Sequence, residues 1–308
     1  MKERTTRTLL QTVALVGAMA TGATAFGDYW KEWSATGKGY WDVDSNWTTG
    51  SGTTLDDYRV GATGAEIAFD KAITDDTANL YVFAGSTTFS ADDSAYGLTK
   101  NNWLCVGVWF GGEASTTFAS GTYSFSEINI GRWTASGTDE VTGETVTWPC
   151  NGSLTITGGA TVSAPNIWVG NTGIDGTLTL NGGTLSAGYV GGTGTLAVGE
   201  NGGTFDNAEA ATIATAITGT GTLTKTGAGT LTITGDTSGF TGTITVAEGA
   251  GSVTVAGTTI EAGQTVSFYS TCRWIGTGGD NYWSTPGNWS TRNVPGENDA
   301  VEFTVAAM

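Results

Sequence analysis

The chain is expected to fold as an all-β protein, a single parallel β-helix of stacked short strands, and three observations lead there. Glycine supplies 49 of 308 residues and proline only 4, with no collagen triplet, which is the composition of a turn-rich β protein. Residues 221–249, GTLTKTGAGTLTITGDTSGFTGTITVAEG, alternate at period two, with Leu223, Leu231, Ile233, Ile244 and Val246 as the apolar members and threonine beside each. Similar pieces recur upstream, and no helical periodicity follows the N-terminal segment. Such strands cannot bury an apolar face alone, so they must stack on copies of themselves. A right-handed winding is expected. The alternative fold is a β-sandwich, whose turn signals also recur about every 8–12 residues.

Residues 1–25 read as a secretory signal. Lys2, Arg4 and Arg7 give a basic start, Leu9 to Ala20 a modest apolar stretch, and Ala23-Thr24-Ala25 a small-residue cleavage site. Gln11 and Thr12 interrupt that stretch, which is too short to span a bilayer, and no later run approaches about 20 apolar residues. Export is therefore expected, with no transmembrane segment in the mature chain.

Residues 26–71 form a tryptophan-rich unit containing Trp33, Trp41, Asn46 and Trp47, and residues 271–308 repeat it with Trp274, Trp283, Asn288 and Trp289. Both copies hold W-x4-N-W, as WDVDSNW and WSTPGNW, and each leads into an acidic-apolar strand, matched as AEIAFD at 65–70 and DAVEF at 299–303. On this alignment the earlier copy carries a longer insertion before its strand. The open end of a β-helix exposes strand edges and core, so the first unit suits a cap, with indoles on the end rung and the asparagine closing a turn. The second is expected to be the start of a further unit, cut short.

Residues 72–270 read as rungs. TFASGTYSFSEINIG (117–131), LTITGGATVSAPNIWVG (154–170) and LTLNGGTLSAGYVG (178–191) share an order: strand, small corner, second strand, apolar pair ending in glycine. LAVGENGGTFDN (196–207) is a shorter fourth. Taking Leu154, Leu178, Leu196 and Leu223 as equivalent gives offsets of 24, 18 and 27 residues, as in a solenoid whose loops vary more than its core. Residues 208–216, AEAATIATA, have helix-forming composition; they are read as a rung with a loop, a single helical turn being the alternative.

At residues 219–243 the series Gly219, Gly221, Leu223, Lys225, Gly227, Gly229, Leu231, Ile233, Gly235, Phe240, Gly242 and Thr243 resembles the autotransporter-associated β-strand repeat, also called the passenger-associated transport repeat. That family carries G-x-G-x-L-x-K-x-G-x-G-x-L-x-L-x-G followed by Asn, Tyr and Gly-Thr. Here Asp236, Thr237 and Ser238 stand in place of the Asn, and Phe240 in place of the Tyr, one residue further on. The later tryptophan unit, with NVPGENDAVEF, is similar to the unit that opens repeat blocks in large autotransporter-like surface proteins. Each likeness covers about 30 residues, roughly a tenth of the chain, and speaks for architecture more than activity.

Composition narrows the chemistry. Without residues 1–25 the balance is 9 basic against 28 acidic residues, and between Arg132 and Arg273 only Lys225 is cationic, so no stripe could track nucleic-acid phosphates there. Histidine is absent and no Cys-x-x-Cys occurs, so no zinc or redox site is expected. Cys105, Cys150 and Cys272 allow one internal disulfide; all three pairings are open, with Cys105–Cys150 preferred because both lie in the irregular middle. Asp42-x-Asp44-x-Asn46 begins like a calcium loop, but Trp47 replaces its glycine and Thr53 its bidentate glutamate, so a turn is expected. The pairs Asp56-Asp57, Asp75-Asp76 and Asp92-Asp93 invite acid–base or calcium chemistry; neighbours on a strand point to opposite faces, and solvated loop charges are expected instead. No G-x-S-x-G elbow, Walker loop or G-G-x-G-x-D repeat occurs. Trp103, Trp109, Trp133, Trp148 and Trp168 lie outside the two units and are expected to fill corners of the stack; an exposed line of indoles would instead suit sugar rings.

No catalytic, cofactor or metal residue is therefore expected. The resemblance implies a non-catalytic, passenger-like protein, secreted or at the cell surface, with a structural or adhesive role and a surface ligand such as a glycan or a host or matrix protein. The alternative is a carbohydrate-binding or polysaccharide-degrading β-helix.

Overall fold

The computed structural model describes residues 30–303 apart from 36, 50–54, 56, 109–111, 139–144, 256, 269–270, 290–293 and 297–299. The signal segment, Asp56 and Trp109 lie outside the described residues, as do the side chains of Trp30, Trp148 and Cys272.

The chain is a parallel β-solenoid of about 8 turns, 57% strand and 3% helix. Each coil contributes strands to three columns. The first runs from Lys38–Tyr40 and Ala65–Phe69 to Ala216–Gly219 and Gly239–Phe240. The second runs from Ala72–Thr74 to Thr243–Val246, and the third from Trp30–Trp33 and Asp57–Val60 to Val253–Val255. The long strands Ala160–Val169 and Thr184–Gly191 pass through both the second and third columns, turning the corner at Pro165 and Gly188. Residues 208–216 supply the strand Ala211–Ile213, so the rung reading holds and no helical turn forms there.

Period-two alternation sends one residue in two inward, and parallel register stacks like on like. In the first column Ile67, Phe89, Phe118, Ile156, Leu180 and Val198 make one buried file. Phe89 and Phe118 stack at 5.2 Å and 24°. A second file joins Leu154, Leu178, Leu196 and Ile217, which corrects the leucine alignment: offsets are 24, 18 and 21 residues, and Leu223 belongs to the second column, beside Ile244. Leucine spacing alone cannot say which of three columns a leucine occupies.

Glycines at the corners of the 221–249 segment serve close approach more than unusual dihedrals. A Cβ on Gly221, Gly229, Gly235 or Gly242 would press into a carbonyl oxygen of the coil beneath, that of Gly199, Glu209, Thr215 or Gly221 respectively. Only Gly227 and Gly249 in this stretch have positive φ, at 76° and 74°. The lysine of the repeat faces inward beside Leu223 and is fully buried. Lys225 Nζ donates to the carbonyl oxygens of Gly227, at 2.8 Å, and of Thr226, tying the following corner to the core. Burial pushes its pKa below the ordinary lysine value, partly offset by the Asp206 charge.

The first tryptophan unit closes one end. Trp33 and Trp41 both meet Trp47 edge-on, at 5.0 and 4.9 Å, and Trp47 Nε1 donates to the Trp41 carbonyl at 2.8 Å. Tyr58 and Phe69 cover Trp41 from the next coil, at 4.8 and 5.9 Å. Asn46 donates to the Tyr40 carbonyl at 2.9 Å, the turn closure expected of it. Beneath lies buried Lys100, its Nζ 4.6 Å from the Tyr58 ring centre and 3.4 Å from Asp75 Oδ1. Burial works against the Asp75 carboxylate, yet hydrogen bonds from Thr77 and Tyr58 and the Lys100 charge hold its pKa below the ordinary value. At the other end Thr258–Ile260 and Thr265–Ser267 run antiparallel on the last coil, and Phe268 packs on Phe240 at 5.3 Å. Reversed strands blunt an otherwise open edge.

The second unit repeats the first. Trp274 meets Trp289 at 5.0 Å and 83°, Trp289 Nε1 donates to the Trp283 carbonyl at 2.8 Å, and Asn288 donates to the Tyr282 carbonyl at 3.1 Å. Its strand Ala300–Phe303 pairs with Thr271–Trp274 as Asp57–Val60 pairs with Trp30–Trp33. The counterpart of DAVEF is thus residues 57–60, not 65–70, and the longer insertion disappears. Trp283 is 48% exposed where Trp41 is 5% exposed, because no coil with a Phe69 covers it among the described residues.

Trp47→Ala is expected to destabilise the solenoid by about 3–5 kcal/mol, as for a large buried aromatic. Trp289→Ala, in a unit whose two strands form a sheet separate from the solenoid columns, should leave the main thermal transition in place. Circular dichroism melts of both variants check this.

Candidate functional site

Outward residues on the first column form hydroxyl files: Ser86, Ser115, Ser153, Thr177 and Thr195 in one, Thr88, Thr117, Thr155 and Thr179 in the next. The second column carries Thr122, Thr161, Thr184, Thr204, Thr224 and Thr245 in unbroken register. The later coils of the third column continue the theme with Thr212, Thr232 and Thr254. Its earlier coils do not. There one outward file reads Asp57, Asn79, Trp103, Glu127, Asn166 and Tyr189, and its neighbour reads Glu32, Arg59, Tyr81, Cys105, Asn129 and Trp168.

These side chains are bound to one another. Arg59 pairs with Asp57 at 3.1 Å, both largely buried. Asn79 donates to the Tyr81 hydroxyl at 3.0 Å and accepts from the Trp103 backbone N–H at 3.0 Å. Glu127 accepts from Asn129 at 2.9 Å and from Trp168 Nε1 at 3.3 Å, while Arg132 donates to Asn129 Oδ1 at 2.8 Å. The Arg132 guanidinium lies 4.6 Å from the centre of the Trp168 ring, and Trp168 meets Tyr189 at 5.3 Å. Phe83, Cys105 and Val108, with Tyr81 and Trp133 against them, form a small apolar cluster outside the main core. It leaves the Asn79-to-Tyr189 file as the open one, with Trp103 43% exposed and Asn166 also exposed.

Burial shifts the titrations here. It raises the Glu32 carboxyl despite the opposing Arg59 charge, and pushes the Cys105 thiol far up, so that thiol is a poor nucleophile. Tyr81 is raised from its ordinary 10 to about 12, mainly by burial, with the Asp57 charge adding to it.

The structure distributes the candidates of the sequence differently from expectation in three places. Asp57 and Asp75 are not solvated loop charges: the first is a buried strand residue paired with Arg59, the second faces Lys100. Asp76, Asp92 and Asp93 do sit at loops, binding the Asn101 N–H, Lys38 and the Ala95 N–H. Cys105 and Cys150 are buried thiols not bridged to one another, since Cys105 lies on the third column and Cys150 on the first, beside Gly112. Trp103, Trp133 and Trp168 fill no corner of the main core and lie on the outward face, Trp103 exposed and the other two half-buried. Asp42 pairs with Lys71, Asp44 with Lys31 at 3.2 Å, and Asn46 closes its turn, so the three side chains point to separate partners. Among the described residues no cluster of three or more His, Cys, Asp or Glu could hold a metal ion, and no helix is long and apolar enough to cross a membrane.

The fold defines the class, a β-solenoid repeat protein. No family model, curated protein or solved structure matches the chain.

The raised Tyr81 pKa carries a sign. The unfolded chain releases this proton near pH 10 and the folded one near 12, so the stability it contributes is complete below pH 10 and lost as pH rises towards 12. The fall in melting temperature between those limits should be shallower in Tyr81→Phe than in the unsubstituted protein.

Proposed function

We propose that the protein is exported and acts, secreted or at the cell surface, as a passenger-like β-solenoid with a structural and adhesive role and no catalysis. The observation that carries this reading is the contrast on the third column, where a fixed aromatic and polar strip with an exposed indole stands in place of the threonine file that the later coils of the same column carry. A scaffold needs no such interruption; a ligand-facing surface does. The repeat resemblance at 219–243, the signal-like residues 1–25 and the acidic mature chain support the surface setting. Against catalysis stands the placing of the strip's three carboxylates: Asp57 is tied to Arg59, Glu127 to Asn129 and Trp168, and Glu32, whose carboxyl burial raises, lies four rungs from Glu127, about 19 Å. Glu127 is also the one half-exposed carboxylate of the open file, and a glycosidase would need a second acid or base across the scissile bond.

Exposed Trp103 favours the second reading, a carbohydrate-binding or polysaccharide-degrading solenoid. Three measurements test the proposal. Expressed with residues 1–25 in a bacterial host, the protein should reach the outside, by fractionation and protease accessibility; the purified protein should coat surfaces and retain cells or matrix. Release of reducing ends from any polysaccharide would overturn the non-catalytic part.

A further inference from the structure

We propose that the open file Asn79, Trp103, Glu127, Asn166 and Tyr189 is a binding site for an uncharged glycan chain, laid along the solenoid axis with one sugar ring to each rung. It rests on the adhesive reading above and names its ligand. Parallel strands repeat at roughly 4.8 Å, about the advance of one pyranose unit in an extended chain, so successive outward residues can meet successive rings. The file offers what a sugar chain needs: an exposed indole at Trp103, an aromatic ring at Tyr189, and between them the carboxylate of Glu127 and the amide of Asn166 for hydroxyl groups.

Charge and size decide against other partners. The strip's two cations are already engaged, Arg59 with Asp57 at 3.1 Å and Arg132 with Glu127 at 3.9 Å, which leaves none for phosphate, sulfate or uronate groups. Four rung spacings by the width of two outward residues give on the order of 200 Å², far below the roughly 800 Å² a side of a stable protein interface. The strip is also preordered: Glu127 and Trp168 are fixed by their own hydrogen bonds and by Arg132, so little side-chain freedom is lost on binding. Beyond Tyr189 the file becomes Thr212 and Thr232, which sets one end of the site.

The test titrates the full chain with cellohexaose, xylohexaose and mannohexaose by calorimetry and tryptophan fluorescence, with heparin and polygalacturonate as charged arms. At least one neutral hexaose should bind and quench or shift the indole emission. Trp103→Ala should weaken it about tenfold or more, as for an aromatic anchor. Thr179→Ala, on the first column, should bind as the parent does. Failure of all three neutral hexaoses to bind, binding of the polyanions alone, or full affinity in Trp103→Ala would overturn the proposal. Adhesion that persists without any glycan binding would remove this site and leave the adhesive reading standing; loss of adhesion by the unsubstituted protein would remove that reading.

Discussion

Everything in this molecule depends on parallel, in-register stacking of one coil on the next. Hydrogen bonds run between coils, so a strand of three to five residues, marginal alone, becomes one member of a long ladder. The apolar files form at the same moment, because register that pairs Leu178 with Leu196 also pairs Leu180 with Val198. A slip of one residue would turn both files outward together. Stability is thus close to a sum over neighbouring coils, and the weak places are the two ends. Both ends combine rings or aliphatics over the core with a reversed strand at the edge: Trp33, Trp41 and Trp47 with the antiparallel pair Trp30–Trp33 and Trp47–Thr49 at one, Ile260 and Phe268 with the antiparallel strands Thr258–Ile260 and Thr265–Ser267 at the other.

Close stacking explains residues that look like exceptions. Corners lie directly over corners, so a side chain at Gly221, Gly235 or Gly242 would push two coils apart. The same crowding strands corner carbonyls away from water, and Lys225 answers for two of them from inside the core. A buried cation is costly unless its donors are used, and here the backbone uses them. Lys100 is the parallel case beneath the cap, where Asp75 and the face of Tyr58 share the charge.

Much of this was legible in the sequence, and the limits have a physical cause. Period two identifies which residues alternate in and out, and Leu223, Leu231, Ile233, Ile244 and Val246 all lie in the core. It does not identify the column, which depends on how many residues each corner consumes; hence leucine spacing sets Leu223 against Leu196 although their strands lie in different columns. The same limit misaligned DAVEF with residues 65–70, because two acidic-apolar strands follow the first W-x4-N-W and only pairing tells them apart. The strip on the third column was least legible. Asn79, Trp103 and Glu127 recur at the 24-residue offset of Leu154 and Leu178, but the 39 residues from Glu127 to Asn166 include the hairpin of Thr134–Thr138 with Thr145–Thr157, and that insertion breaks the series before Asn166 and Tyr189. A signal did exist: each apolar pair ending a rung, such as INI and IWV, carries a polar or aromatic residue between its aliphatics, where later rungs carry threonine.

That substitution is informative because of what outward positions are free to do. An outward threonine suits the pleated surface and is easily satisfied by water or a neighbouring hydroxyl, so it is the low-cost choice for a coil whose only task is to stack. Placing Asp57 and Asn129 where other coils carry threonine buries a charge and an amide that must then be bonded, as they are to Arg59 and Glu127, and Trp103 in the same strip leaves its ring in water. Each of these departures works against stability or at best restores it. They occur together, on adjacent coils of one column, and end abruptly at Thr212. Outward charges occur on the first column too, where Lys38 lies beside Glu66 and Glu113 beside Asn151, but there they are isolated and without an exposed ring. The continuous run of amide, acid and aromatic side chains on one strip of the third column points to a requirement imposed from outside the solenoid, by whatever meets that face.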